Sequence, residues 1–250
     1  MIPAQFDYVA PTTVADAVRA LGEAGEDAKV LAGGQSLIPV LRLRLAFPTV
    51  LVDLGRVQEM RGVCDDGDAI VIGAMTRHDD VLRDDLVRQH AALVAEATAT
   101  VADPAVRHRG TFGGALAHAD PAGDLAAVAL ALDAVMVVEG PGGRRSIPAS
   151  EFFVDYLETS MQPEELLVEV RVPKLEGQWG VRYEKFNRVA QAWSIVAVAT
   201  AVRRDNGSIA EARIGLTNMG STPLRASATE QALAGTPADL GAVRTAAASA

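Results

Sequence analysis

Cysteine is nearly absent: Cys64 is the one thiol among 250 residues. That excludes an internal disulfide framework, and equally any iron–sulfur cluster or thiolate zinc site built from this chain alone. Histidine is scarce too. His78, His90, His108 and His118 show no ligand spacing such as H-x-x-x-H, so no metal site is expected. Positive charge is also short, with 23 Lys and Arg against 32 Asp and Glu, a net charge of −9 and a pI near 5.0. Without a basic stripe, nucleic-acid binding is not expected. Arg42/Arg44 and Arg107/His108/Arg109 form only short clusters, suited to a local anion or a protein partner. No apolar run approaches twenty residues without charge or glycine, and Ile2-Pro3-Ala4-Gln5-Phe6-Asp7 has neither the basic start nor the apolar core of a signal peptide. A cytoplasmic protein is expected, at most peripheral at the inner face of a membrane.

What is present reads as an α+β protein with an α/β N-terminal part. A hydrophobic fraction of 49% with 22% charged residues suits a soluble globular chain able to bury a substantial core. Three sections are expected: a small α/β unit over 1–54, a second α+β unit over 55–176, and an antiparallel sheet with helices over 177–250. In the first, Thr13 and Asp16 open a helix with Val14, Ala17, Val18 and Leu21 on one face, closed by Gly22 and Gly25. Segments 29–32 and 50–53 then read as strands of a small parallel unit. In the second section, 62–67 reads as a turn into a strand at 69–73, Thr76 as a helix cap, and 86–99 as one long helix. Asp120 and Pro121 read as the cap and first position of a helix over 122–132. Segments 135–139 and 144–147 read as strands about a turn, and 166–172 as another strand. In the third section, 181–186 is a strand, Asp205-Asn206-Gly207 turns a hairpin between 194–203 and 209–218, and 224–234 and 240–249 are alanine-rich helices.

Chemistry concentrates in two glycine-rich stretches. Lys29-Val30-Leu31-Ala32-Gly33-Gly34-Gln35-Ser36-Leu37-Ile38-Pro39 runs an apolar strand into paired glycines and a hydroxyl, and Arg109-Gly110-Thr111-Phe112-Gly113-Gly114-Ala115-Leu116 repeats that chemistry. Paired glycines permit positive φ and close approach, so consecutive N–H groups are expected to face one anion, two such turns gripping one diphosphate. Either stretch alone reads rather as a plain tight turn, and it is the pair that points to an anion. Neither fits G-x-G-x-x-G or the P-loop pattern. Asp124, about a turn beyond Asp120, offers a carboxylate to a ribose diol or compensates a helix dipole. Cys64 stands beside Asp65 and Asp66, whose charge disfavours a thiolate nucleophile. Those two, Asp79-Asp80 and Asp84-Asp85 read as solvated or capping groups.

Ala32-Gly33-Gly34-Gln35-Ser36-Leu37-Ile38-Pro39 together with Thr111-Phe112-Gly113-Gly114-Ala115-Leu116-Ala117-His118-Ala119-Asp120-Pro121-Ala122-Gly123-Asp124 resembles the FAD-binding medium subunit of the molybdenum hydroxylases, the xanthine dehydrogenase and aerobic carbon monoxide dehydrogenase group. Phe6-Asp7-Tyr8, Lys185-Phe186-Asn187-Arg188 and the order of elements extend the resemblance over essentially the whole chain. It implies a two-subdomain FAD-binding fold of the vanillyl-alcohol-oxidase type, then a C-terminal domain of antiparallel sheet and helices. It implies a diphosphate held through Ala32, Gly33, Gly34, Gln35, Ser36 and Leu37 and through Thr111, Gly113 and Gly114. Asp124 would serve the adenosine half, Leu167 would line the isoalloxazine, Lys185 would lie at its pyrimidine edge, and Trp193 would shield it. Flavin reduction places negative charge on the N1/C2=O side, so a cation there favours the reduced form. From the residues alone, Glu184-Lys185 reads as a surface pair and Trp193 as a core or interface tryptophan.

The resemblance further implies FAD in this chain, [2Fe–2S] clusters in a small partner and a Mo–pterin cytosine dinucleotide in a large one, assembled as a dimer of heterotrimers. Electrons would pass from the substrate at molybdenum through the clusters to FAD, then to an external acceptor such as a quinone or NAD. The substrates implied are carbon monoxide, an N-heterocycle or an aldehyde, and no catalytic side chain is expected in this chain. Carbon monoxide dehydrogenases typically carry histidine where Gln35 stands; Ala115 replaces the usual asparagine, and Gln191-Ala192 a glycine-aspartate. The sequence ends at Ala250, short of the length expected of such subunits. The alternatives are a stand-alone FAD-dependent oxidase or reductase of the same superfamily, and a scaffold protein whose glycine stretches are plain turns.

Overall fold

The computed structural model describes residues 2–248, so the last residues of the helix expected over 240–249, from Ser249 on, lie outside the described residues. The first section contains β1 (Asp7–Val9), α1 (Val14–Ala24), β2 (Ala28–Leu31), α2 (Leu37–Arg42) and β3 (Val50–Asp53). Its three strands run in the order β1-β3-β2 with both pairings parallel. Thr13 caps α1 by accepting from Asp16 N, and Val14, Ala17, Val18 and Leu21 form its buried face. Gly22 lies inside that helix, which ends at Gly25.

The second section holds β4 (Val63–Asp66), β5 (Ala69–Gly73), α3 (His78–Arg83), α4 (Asp85–His90), α5 (Ala92–Ala99), α6 (Pro104–Arg107), α7 (Phe112–His118) and α8 (Asp124–Ala131). It continues with β6 (Val135–Gly140), β7 (Gly143–Pro148), α9 (Ala149–Phe152), β8 (Phe153–Asp155), β9 (Glu158–Thr159) and β10 (Leu166–Pro173). Five strands form an antiparallel sheet in the order β4-β5-β10-β6-β7. The third section is a four-stranded antiparallel sheet, β11 (Trp179–Phe186), β12 (Val196–Asp205), β13 (Ser208–Thr217) and β14 (Leu224–Arg225), followed by α10 (Ser227–Leu233) and α11 (Leu240–Ala247). Asn206 and Gly207 take the two positive φ values, 46° and 85°, that a tight hairpin turn requires.

Four local expectations need correction. Thr76 caps no helix; its Oγ1 accepts from Gly62 N at 2.9 Å and donates to Gly62 O at 3.1 Å, tying β5 back to the start of β4. The helix expected over 86–99 breaks at Ala91, with α4 lying on β4 and β5 and α5 redirected onto α8 and β11. The helix expected from 122 begins at Asp124, because Asp120 closes a turn by accepting Ala122 N on its side chain and Gly123 N on its carbonyl. The stretch 62–67, expected as a turn, is largely strand β4.

The core binds the sections together. Every residue of α8 is buried, and an all-round apolar helix of this kind belongs inside a protein. It packs against α5, α7 and α9 and also against β12 and β13. Ala197, Ala199 and Ala201 on the inward face of β12 are small enough to allow that approach.

Candidate cofactor site

The turn after β2 is built for close approach. Gly34 takes φ 76°, in the left-handed region, and alone among the four motif glycines does so. The others answer to packing. A Cβ on Gly33 would lie 2.4 Å from the carbonyl oxygen of Arg109, and one on Gly113 would lie 2.3 Å from Ala74 Cβ. The two glycine stretches are therefore pressed together through main chain.

Their hydrogen bonding differs. Among the described residues, the N–H groups of Gly33, Gly34, Gln35, Ser36 and Leu37 meet no protein acceptor, the first bond of α2 being Ile38 N to Gly34 O at 3.0 Å. Gln35 folds back over the turn, donating to Gly33 O at 3.4 Å, and the Ser36 hydroxyl makes no capping bond. In the second stretch the N–H groups of Phe112 and Gly113 donate to Thr76 O and Ala74 O, both at 2.9 Å. Gly114 N donates to Thr111 Oγ1 at 3.2 Å and Ala115 N to Thr111 O at 3.1 Å. The expectation of two equivalent N–H nests is thus corrected. The second stretch is the start of α7, capped by Thr111, and spends its amides within the protein.

Two clefts adjoin here and share Ala32 and Met75. One, with about 590 Å³ of open space, is the more polar and is walled by Gly33, Ile38, Thr111 and three arginines, Arg61, Arg77 and Arg109. The other, with about 380 Å³, is nearly all apolar; Val30, Met60, Gly114, Ala117 and Leu167 line it. Leu167 is buried on β10.

Asp124, Lys185 and Trp193 lie elsewhere, beyond the far end of α7. Asp124 heads α8, the position a carboxylate favours on the helix dipole. Its Oδ1 accepts from Tyr183 Oη at 2.7 Å and Ser194 Oγ at 3.0 Å, and its Oδ2 accepts from Lys185 Nζ at 2.9 Å. Three protein donors therefore take three of the roughly four acceptor positions of the carboxylate offered above to a ribose diol. Acid and lysine touch, so they do not serve opposite halves of one extended dinucleotide. Lys185 also donates to Thr100 O at 3.1 Å, which leaves one of its three N–H groups without a protein acceptor among the described residues. The surface-pair reading fails as well: Lys185 is 5% exposed on the inner face of β11, while Glu184 points outward to Arg182. Burial, reinforced by the Asp124 charge, holds the Tyr183 phenol well above its ordinary pKa. Trp193 is 54% exposed, so it is no core residue, and its ring centre lies 6.5 Å from that of His118 at the end of α7.

Tyr183, Ser194, Arg61 and Arg77 went unnoticed in the sequence, whereas Arg109 reads there as part of a short cluster suited to a local anion or a protein partner. The period-2 pattern of β11 places Tyr183 and Lys185 on one face and could have linked them; the arginines come from three separate segments and carry no such signal.

Residues 4–175 match the family described as the FAD binding domain in molybdopterin dehydrogenase, and residues 181–250 the CO dehydrogenase flavoprotein C-terminal domain. The chain belongs to the FAD-binding subunits of the molybdopterin dehydrogenases. Among relatives of this family, the carbon monoxide dehydrogenase medium chain of Hydrogenophaga pseudoflava is 43% identical over 225 residues, 90% of this chain and 78% of that one. The 6-hydroxypseudooxynicotine dehydrogenase complex subunit alpha of Paenarthrobacter nicotinovorans is 40% identical, over 93% of this chain and 79% of that one. The solved structure of carbon monoxide dehydrogenase from Hydrogenophaga pseudoflava superposes with a TM-score of 0.97 at 44% identity, covering all of this chain and 87% of that one. The fold is therefore that of the family's flavoprotein subunits, an FAD-binding part followed by an antiparallel-sheet domain, and the protein is an oxidoreductase component. Among the described residues, no helix is long and apolar enough to cross a membrane.

Proposed function

We propose that this chain is the FAD-carrying electron-transfer subunit of a heterotrimeric molybdenum hydroxylase. The observation that carries the reading is the run of five unpaired N–H groups from Gly33 to Leu37 around the left-handed Gly34. Consecutive main-chain donors in a concavity suit the oxygens of a diphosphate. The donor set and the clefts fit the cofactor, with the polar cleft matching its charged half and the apolar cleft its ring. Bound FAD would supply two-electron chemistry on one side and one-electron exchange on the other.

This chain's residues would bind and orient it. The turn at Ala32 to Leu37 receives the diphosphate, Thr111 and the side-chain-free Gly113 and Gly114 form the facing wall, and Leu167 backs the isoalloxazine. Trp193 covers the end of the ring beyond α7. Lys185 turns its remaining N–H toward the pyrimidine edge, and Asp124, with Tyr183 and Ser194, positions that ammonium rather than touching a ribose. Sections 1–54, 55–176 and 177–250 serve as the two halves of the clamp and a covering domain.

Electrons would arrive from [2Fe–2S] clusters of a small subunit, after substrate oxidation at a Mo–pterin cytosine dinucleotide in a large one, and leave for a quinone, NAD or another acceptor in the cytoplasm. The medium-chain and complex-subunit names of the relatives support partners of this kind. Relatives at 43% and 40% identity act on carbon monoxide and 6-hydroxypseudooxynicotine by name, so the substrate class is left as carbon monoxide, an N-heterocycle or an aldehyde. Titrating the flavin-free chain with FAD should reach one equivalent with a shifted flavin absorption band, and affinity capture from its source cells should bring down iron–sulfur and molybdenum subunits. A chain that leaves the FAD spectrum unchanged would contradict the reading.

A further inference from the structure

The hairpin of β8 and β9 carries its apolar side chains into solvent. Val154, Tyr156 and Leu157 are 50%, 62% and 45% exposed, although Phe152 and Phe153 just before them are buried. Leu157 holds φ 57° at the tip, a bulky side chain where a tight turn favours glycine or asparagine. Large apolar side chains grouped in water and rimmed by polar ones mark a contact surface.

Charge and placement both bear on what covers it. Glu151, Asp155 and Glu158 are exposed around the tip, and between Arg145 and Arg171 the sequence holds no Lys, Arg or His. An apolar knob ringed by carboxylates is complementary to an apolar recess ringed by lysines or arginines. Ser160 N donates to Phe152 O at 2.9 Å, closing the base of the hairpin, and Arg145 Nη2 donates to Ser160 O at 3.0 Å. The same guanidinium holds both oxygens of Glu165 at 2.7 Å, and Glu165 lines the apolar cleft beside Met161 and Leu167. One side-chain bridge therefore braces the knob to the wall of the cleft assigned above to the flavin ring. A permanent subunit interface is broad and mostly apolar, whereas a hairpin tip with a charged rim suits a brief electron-transfer encounter.

We infer that the β8–β9 hairpin is the docking knob for a basic one-electron carrier protein, which takes the electrons leaving the flavin. This rests on the flavoprotein reading and names the class of its acceptor. In each turnover FADH2 returns to FAD, two carriers are reduced by one electron each, and two protons pass to solvent. Opposite charge raises the encounter rate of such a pair and makes it fall with salt.

The test uses the full chain loaded with FAD and reduced anaerobically with dithionite. Ferric cytochrome c, a basic haem protein, is the probe, and ferricyanide is the anionic control; both are followed by stopped flow at low and moderate salt. Glu151→Gln/Asp155→Asn/Glu158→Gln removes the charge, and Tyr156→Ser/Leu157→Gly removes the apolar tip. Glu23→Gln/Glu26→Gln/Asp27→Asn removes equal charge in and just after α1. The wild type should reduce cytochrome c more slowly as salt rises. The hairpin charge variant should be slower by roughly tenfold or more at low salt, with a flatter salt dependence, and faster with ferricyanide. The tip variant should be slower with cytochrome c alone, and the α1 variant should match the wild type.

Failure of the wild type to reduce cytochrome c, equal rates in the hairpin charge variant, or an equal loss in the α1 variant would overturn the knob and leave the flavin reading standing. Loss of co-purifying subunits from the hairpin charge variant made in the source cells would also overturn it, because a permanent partner would then cover the hairpin. If the wild type takes up no FAD, the flavin reading falls and binding of cytochrome c to the flavin-free chain decides the knob. Binding lost in the hairpin charge variant would support it, and binding unchanged or absent throughout would overturn it.

Discussion

Lys185 and Asp124 are 5% and 6% exposed, and a pair this deep depends on each partner keeping the other. Removing one charge leaves the other desolvated and alone, which costs about 3–5 kcal/mol. Lys185→Met should therefore lower the chain's unfolding free energy by about that amount, and Lys185→Met/Asp124→Leu should recover much of it; chemical denaturation of the two variants checks this. His78 provides a second residue-level test. Burial, with the Arg107 charge adding to it, pushes its imidazole down to about 4, and its Nδ1 has no partner among the described residues. Its folded pKa lies below the unfolded one, so the unfolded chain binds the extra proton between about pH 6.5 and 4, and stability falls as pH falls through that window. At one pKa unit per 1.36 kcal/mol the loss is about 3 kcal/mol, and His78→Gln should remove most of it. Urea unfolding at pH 7 and pH 4.5 compares the two proteins; equal acid sensitivity would exclude His78 as the cause. Individual site residues were legible unevenly. Gly34 takes the positive φ that paired glycines permit, whereas the partners of Asp124 are 59, 61 and 70 positions away and only the fold joins them.

At the scale of elements, α7 decides the shape of the site. A helix opening Thr-Phe-Gly-Gly has two poor helix formers in its first turn, which is why the stretch reads as a loop. Two things recruit it into a helix: the Thr111 cap, and the packing of Gly113 onto Ala74, which leaves no room for a side chain. Thr111→Ala should cost about 1 kcal/mol of stability and weaken flavin binding together with it, read by thermal melting and FAD titration. Gly113→Ala is expected to be worse, about 1–3 kcal/mol, because main chain must move to admit the methyl group. Elements with a strong periodic or turn signal, such as α1, β6 and β7, and the hairpin at Asn206-Gly207, were readable from their own residues. β1 and α2 were not: three exposed residues and a six-residue helix containing Pro39 carry too little pattern.

Over the whole molecule, the buried helix α8 together with α5 joins the FAD-binding part to the antiparallel sheet, and among the described residues the turn after β2 leaves a row of main-chain donors unpaired. The two motifs in order and spacing made the family legible, but the asymmetry between them was hidden, since both read as paired glycines with a hydroxyl nearby. The most direct measurement is the flavin content of Gly34→Val beside the wild type. Gly34 holds φ 76°, a conformation that strains a β-branched residue, and a Cβ there would also push on Ile38 Cδ1 at 2.7 Å. The wild type should titrate to one FAD per chain, and Gly34→Val, melting cooperatively, should bind at least tenfold more weakly. A folded Gly34→Val that holds one equivalent of FAD as tightly as the wild type would contradict the placement of the diphosphate on this turn.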